Sequence, residues 1–312
     1  MSTHIALLMA ALAWPGAAQS PIRGPLLGWA WDSRTETLRP ILGITGSSLL
    51  GKSLDVGAAV KHAAVASGQD VALAILGDHR TVARVHLKAD VANAVFEEIP
   101  DGAGSVVLST SESAALVWHP LLNRIYVVTG WRTSAPPVWW VKSEAVGSAV
   151  SMAVSDDGEF VLAISAEGSV SLLERSGARV LWEGMGARGA AFLENSRTAL
   201  IASATGVWVA RDLPAWSDPV LLRDGESWGT VAAIDGQRAL LTDRGSQSVL
   251  EVNLATGEVR SAQCPCMPAA LSRLNGDGVY RLNELGGGPL WLAEISEAGI
   301  RTVFVPPDPP ES

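Results

Sequence analysis

The chain has 312 residues, 48% of them hydrophobic, and carries 23 basic against 32 acidic side chains for a net charge of −9. That much apolar material suffices for a large buried core. The acidic balance excludes a phosphate backbone and argues against an anionic membrane surface as partner.

Residues 1–20 read as an export signal. Ile5 to Trp14 is an apolar run of about ten residues, too short to cross a bilayer. It ends in Pro15, Gly16, Ala17 and Ala18, small residues suited to cleavage, although Met1 to His4 supplies no Lys or Arg. No cysteine follows the run, which argues against a lipid anchor, and no later segment has the length and apolarity of a membrane helix. The expectation is an exported protein, periplasmic or extracellular, with residues 21–305 as one domain.

The stretch from Leu26 to Val56 holds two or three strands. Within it, Gly46 to Ser53 satisfies the P-loop pattern, in which glycines let backbone N–H groups wrap phosphates, Lys52 would reach them and Ser53 would hold Mg²⁺. That motif requires a helix behind it. Gly57 falls early in any such helix and the rest of the chain reads as hairpins, so a chance match in an inter-strand loop is expected, with nucleotide binding through Gly46–Ser53 as a remote alternative.

From residue 60 a phrase recurs about every 40 residues: apolar alternation, a polar turn, a second apolar run. Its clearest copy runs from Val150 through Asp157-Gly158 to Ser165. The turns fall at Gly68-Gln69-Asp70, Ser111-Glu112, Asp157-Gly158, Asn195-Ser196, Asp235-Gly236 and Asp277-Gly278. Gly and Asn tolerate the positive φ of tight turns. The second half of each unit repeats too: Val249 to Val259 reads as strand, Thr256-Gly257 turn, strand, and Trp29 to Leu38 reads the same way. Helical periodicity is nearly absent; only Gly57–Ser67 and Ala89–Glu98 can be argued either way. Four strands per 40 residues is the propeller pattern.

The Ser155-to-Gly158 turn and the hairpin from Leu254 to Val259 resemble the YVTN and WD-repeat class of β-propellers, most clearly over 150–183 and 231–260. The sequence is also similar in style to uncharacterised exported bacterial propellers. The resemblance implies a fold, not a catalytic apparatus. The fold expected is all-β: a single β-propeller of seven blades of about four antiparallel strands, with an incomplete N-terminal blade. Six blades plus an extension is the alternative. Residues 306–312 read as a Pro-rich, solvated, disordered tail.

Candidate chemistry is sparse. Gly225 to Gly229 matches a nucleophile elbow around Ser227, but the last histidine is His119, so the Ser, acid, His order of that family is impossible. Cys264 and Cys266 are the only cysteines, and a local disulfide is one reading, which needs a turn at Pro265; buried free thiols and a redox or metal role are others. His62, His79, His86 and His119 lack metal-ligand spacing; His62 and His119 read as structural. Asp156 and Asp157 suit turn carboxylates better than a cation site. Most of the 12 tryptophans fall on strands. Trp139 and Trp140, behind Pro136-Pro137 at a blade edge, point to opposite faces if extended and mark a candidate binding surface.

The functional expectation is a non-catalytic binding or scaffold module using one face of the disc, without cofactor or metal, a monomer whose partner is a protein or a carbohydrate. The alternative is a hydrolase or lactonase-type enzyme, which requires carboxylates, histidine or a metal gathered at the central channel.

Overall fold

The computed structural model describes residues 24–88, 93–142, 149–214, 219–276 and 278–308. The expected leader, most of Ala89–Glu98's first half, Asp277 and residues 309–312 lie outside them. The chain is a seven-bladed β-propeller. Blade 1 holds β1 (Leu26–Asp32), β2 (Thr37–Ile44) and β3 (Ser47–Leu50); blade 2 holds β4 (Val60–Val65), β5 (Val71–Leu76), β6 (Thr81–His86) and β7 (Ala94–Val95). Blade 3 is β8 (Ser105–Leu108), β9 (Ala114–His119), β10 (Arg124–Thr129) and β11 (Val138–Lys142). Blade 4 is β12 (Ala149–Val154), β13 (Val161–Ser165), β14 (Val170–Glu174) and β15 (Gly177–Trp182). Blade 5 is β16 (Ala187–Phe192), β17 (Ala199–Ser203), β18 (Gly206–Ala210) and β19 (Val220–Asp224). Blade 6 is β20 (Trp228–Ala233), β21 (Arg238–Asp243), β22 (Ser248–Asn253) and β23 (Val259–Gln263), and blade 7 is β24 (Ser272–Arg273), β25 (Val279–Arg281), β26 (Leu290–Ser296) and β27 (Gly299–Val305). Each blade is an antiparallel meander in chain order.

The apolar alternation of these strands buries both faces of every blade. The buried side chains fall into clusters between blades 1 and 2, 2 and 3, 3 and 4, 4 and 5, 5 and 6, 6 and 7, and 7 and 1. The ring therefore closes by packing, with each buried Leu, Ile or Val contributing roughly 1.5–3 kcal/mol. Closure between blades 7 and 1 is reinforced by the start of the C-terminal tail. Asp308 accepts from both terminal nitrogens of the buried Arg39 on β2.

The recurring turn is where neighbouring blades are stitched together. Gln69, Glu112 and Gly158 occupy one position in blades 2, 3 and 4, each with left-handed φ and each closing a turn onto the residue three before it. Glycine reaches that conformation freely; Gln69 and Glu112 adopt it while their side chains cross to the preceding blade. Glu112 accepts from the Ser67 N–H of blade 2. The two oxygens of Asp156 accept the N–H groups of Ser111 (2.8 Å) and Asn195 (2.7 Å), so one carboxylate joins blades 3, 4 and 5. The Glu194 N–H donates to Asp235 between blades 5 and 6, and Arg273 donates to the Ile234 carbonyl between blades 6 and 7.

Blade 1 differs in kind. Asp32 accepts the N–H groups of Arg34 and Thr35, as Asp243 accepts those of Gly245 and Ser246, and Glu36 shares its left-handed place with Gln247. The β1–β2 hairpin thus corresponds to the second and third strands of the other blades, a correction to its reading as the second half of a unit. A hairpin alone does not say which pair of a meander it is. Among the described residues blade 1 has no strand on the channel side of β1. The backbone groups that such a strand would pair are capped instead. Gln69 accepts the Trp29 N–H (2.6 Å) and Asn275 donates to the Leu27 carbonyl (2.9 Å), which satisfies an otherwise open sheet edge.

Candidate functional site

The inner strands surround a channel with a cavity of about 420 Å³. Much of its lining is small and apolar, and the repeat explains why. At one level Ala64, Val107, Ala153, Ala191 and Ala232 stand on the inner strands of blades 2 to 6. Opposite them on the second strands stand Leu73, Leu116, Leu162, Leu200 and Leu240, all fully buried and packed toward the following blade.

Blades 7 and 1 break this rule. In blade 7 the same pair is Ser272 and Arg281. In blade 1, by the correspondence of Asp32 with Asp243, the place of the leucine is taken by Trp29. Two residues on and on the same side of β1 is Trp31, whose indole N–H donates to the Val60 carbonyl (2.7 Å). Its ring lies 4.9 Å from the imidazole of His62 on β4. The β25–β26 loop folds inward beside β1, where Leu285 bridges Asp32, and it carries Glu284 to the channel.

The polar groups of this sector have unspent capacity. Arg281 Nε donates to Ser272 Oγ (3.0 Å), while its Nη1 is buried with no hydrogen-bond partner and stands 3.6 Å from the half-exposed Glu284 carboxylate. His62 Nδ1 accepts the Val106 N–H at 3.4 Å, so in the neutral ring the proton sits on Nε2. Burial pushes the His62 pKa down, with Glu284 opposing and Arg281 adding to the shift. Arg273 and Tyr280, by contrast, are committed to each other: Nε and Nη2 of the arginine donate to the phenol oxygen at 3.2 Å. Burial raises the Tyr280 pKa.

The residues singled out from sequence scatter over the disc. Trp139 and Trp140 lie on β11, the outer strand of blade 3, and alternate as extended residues must. Trp139 is buried and its N–H donates to the Gly158 carbonyl of blade 4 (2.9 Å). Trp140 is 49% exposed with the Arg124 guanidinium 3.9 Å above its ring. Cys264 and Cys266 have Cα atoms 5.0 Å apart and their sulfurs joined, on the loop after β23, far in sequence from any channel residue but Ala269 onward. Gly46 to Ser53 forms the β2–β3 hairpin and strand β3, whose backbone serves the sheet (Gly51 N–H to Pro40 carbonyl, 2.7 Å). The helix that a P-loop requires is not there, and the nucleotide reading falls with it. Ser227 donates to Asp243 at the start of β20 without a histidine beside it. Asp157 accepts from its own turn, Ser155 Oγ and the Glu159 N–H. Among the described residues no three His, Cys, Asp or Glu side chains group as a metal site, and no helix is long and apolar enough to cross a membrane.

Arg281 and Glu284 carry no sequence motif. The signal that finds Arg281 is positional: it stands where five other blades carry leucine, visible only once the blades are in register. Trp29 becomes meaningful by the same alignment.

No family model matches the chain, and no curated protein does. Solved structures do. A functionally unknown protein from Desulfotomaculum acetoxidans DSM 771 superposes with a TM-score of 0.60 at 12% identity, covering 90% of this chain and 99% of that one. Apo AztD from Citrobacter koseri gives 0.54 at 13% identity, over 90% and 82% of the two chains. The β-propeller domain of Myceliophteria thermophila Cps50 (Swd1) gives 0.50 at 10% identity, over 89% and 96%. At such identities the likeness concerns the fold alone.

Proposed function

We propose that this chain is an exported binding module, acting as a monomer without catalysis, that takes its ligand into the channel at blade 1. One observation carries the reading. Where blades 7, 1 and 2 meet, the channel holds Arg281 and His62 with hydrogen-bond capacity unspent, beside two tryptophans; the other orphaned polar atom among the described lining residues is the uncharged Thr230 hydroxyl of blade 6. Buried polar groups are ordinarily satisfied within the fold, and those that are not commonly meet a ligand. The hydrolase-type alternative needs a nucleophile or metal-bound water next to His62. Its histidine and carboxylate are at the channel, but the nearby hydroxyl of Ser272 is engaged by Arg281. In an oxidising compartment Cys264 and Cys266 would stay joined.

A second reading keeps the rim at Trp140, where an exposed indole could stack on a sugar or anchor a protein.

Expression with residues 1–20 intact, followed by intact-mass measurement, should give an exported product that starts near residue 21 and contains no free thiol. A thermal-shift screen of chemically varied small molecules and oligosaccharides should then find stabilising compounds. A chain retained in the cytoplasm would refute export, and a screen without a single stabilising compound would refute the binding reading.

A further inference from the structure

We propose that the blade 1 sector of the channel binds a small organic carboxylate with a flat aromatic body, its oxygens on Arg281 and His62 and its ring against Trp29 and Trp31. The proposal deepens the binding-module reading and rests on it.

The second-strand leucine of each blade packs toward the next blade: Leu73 with blade 3, Leu116 with blade 4, Leu162 with blade 5, Leu200 with blade 6 and Leu240 with blade 7. Continuing the series, Arg281 faces blade 1, the one blade without an inner strand among the described residues. Among the described residues no inner strand of blade 1 stands there for a leucine to pack on. An arginine there is nearly buried, at 13% exposure, and one of its terminal nitrogens lacks an acceptor. A buried cation is costly unless its partners fully supply its acceptors. Glu284 does so incompletely: it is 55% exposed and stands 3.6 Å away, beyond hydrogen-bond reach.

The chemistry of the missing acceptor follows from the donors. A guanidinium presents a planar fork that matches a carboxylate, and the imidazole N–H of His62 is a second donor facing the same cavity. Glu284 opposes a doubly charged phosphate, and the second arginine of the channel, Arg273, is occupied by Tyr280 and the Ile234 carbonyl. Among the described residues Arg281 is the sector's one cation with a buried nitrogen lacking a hydrogen-bond partner, and it suits a ligand with a single negative charge while the 55% exposed Glu284 faces solvent. Trp29, in the leucine place of blade 1, and Trp31 offer flat apolar surface for the remainder of the ligand. A cavity of about 420 Å³ holds a molecule of a few rings.

The full chain is titrated calorimetrically with 2-naphthoate, with the isosteric 2-naphthamide and with inorganic phosphate. The expected result is 2-naphthoate binding at least tenfold tighter than the amide, with phosphate weaker than either. Arg281→Leu removes the guanidinium and should abolish the preference for the acid. Equal affinity for acid and amide, no binding of the acid, or an undiminished preference in Arg281→Leu would each overturn the proposal. Should Arg281→Leu fail to fold, the acid-to-amide ratio of the parent chain decides alone. If other compounds of the screen bind while 2-naphthoate does not, the carboxylate site falls and the binding module stands; if nothing binds, both fall.

Discussion

Trp139 and Trp140 differ by one residue and by nearly everything else. Trp139 is buried between blades 3 and 4 and hydrogen-bonded to Gly158, so Trp139→Ala is expected to cost about 3–5 kcal/mol in urea unfolding. Trp140→Ala removes an exposed ring and is expected to cost less than about 1 kcal/mol. Equal costs would contradict the alternation of β11. Asp156→Ala leaves two turn N–H groups without acceptors and is expected to cost about 1–3 kcal/mol. Sequence anticipated that the two tryptophans part ways and that Asp157 serves its own turn. It did not anticipate that Asp156 serves two neighbouring blades, because a carboxylate's distant partners leave no local pattern.

Protonation acts at this scale too. Burial alone would raise the Asp157 carboxyl, but Ser155, the Glu159 N–H and Arg197 together hold it below its ordinary value. Burial is likewise outweighed at Asp235 by Gln237 and Arg238, and at Asp243 by Ser227, Ser246 and the Gly245 N–H. A depressed carboxyl contributes stability that is present above its unfolded pKa of about 3.9 and is lost as the pH falls through the folded value. His62, lowered by burial, adds a loss that begins earlier, as the pH falls below about 6.5 and the unfolded chain gains a proton that the folded one refuses. Urea midpoints measured from pH 8 to pH 3 should therefore stay level, decline from about 6.5 and decline more steeply below about 4. In His62→Gln the first decline should shrink; a parent chain level down to pH 4 would contradict the buried, neutral imidazole.

At the scale of elements, turns were the most legible feature. A polar turn between two apolar runs marks a hairpin by local chemistry alone, and each marked turn within the described residues joins the first two strands of a blade. What local chemistry does not carry is position within a meander, so the β1–β2 hairpin was placed one strand too late. The P-loop pattern misleads for the same reason: its eight residues are compatible with a hairpin, and the residues after it decide. Among the described residues the inner edge of β1 is capped by side chains from blades 2 and 7. Gln69→Ala should accelerate amide exchange in β1 by about tenfold or more and leave β17 and β18 untouched. Uniform acceleration would mean that the cap supports the whole ring instead. If residues 1–20 are the leader proposed above, removing them should leave the melting temperature unchanged; a clear drop would contradict that reading.

The whole molecule is a ring of near-equivalent blades, and its function is argued from the places where equivalence fails. The period of about 40 residues made the ring legible, since each repeat needs its neighbours to bury its faces. The site was not legible in the same way. Arg281, Trp29 and His62 belong to three different blades and come together only because the ring closes on itself, bringing the first and last blades side by side. The ligand is proposed to sit at this seam. A crystal soaked with a fragment set of aromatic acids, neutral aromatics and sugars tests it most directly. Fragments are expected at the channel mouth in contact with Arg281 and Trp31, the acids foremost. Fragments gathered on the rim at Trp140, with the channel sector unvisited, would contradict it.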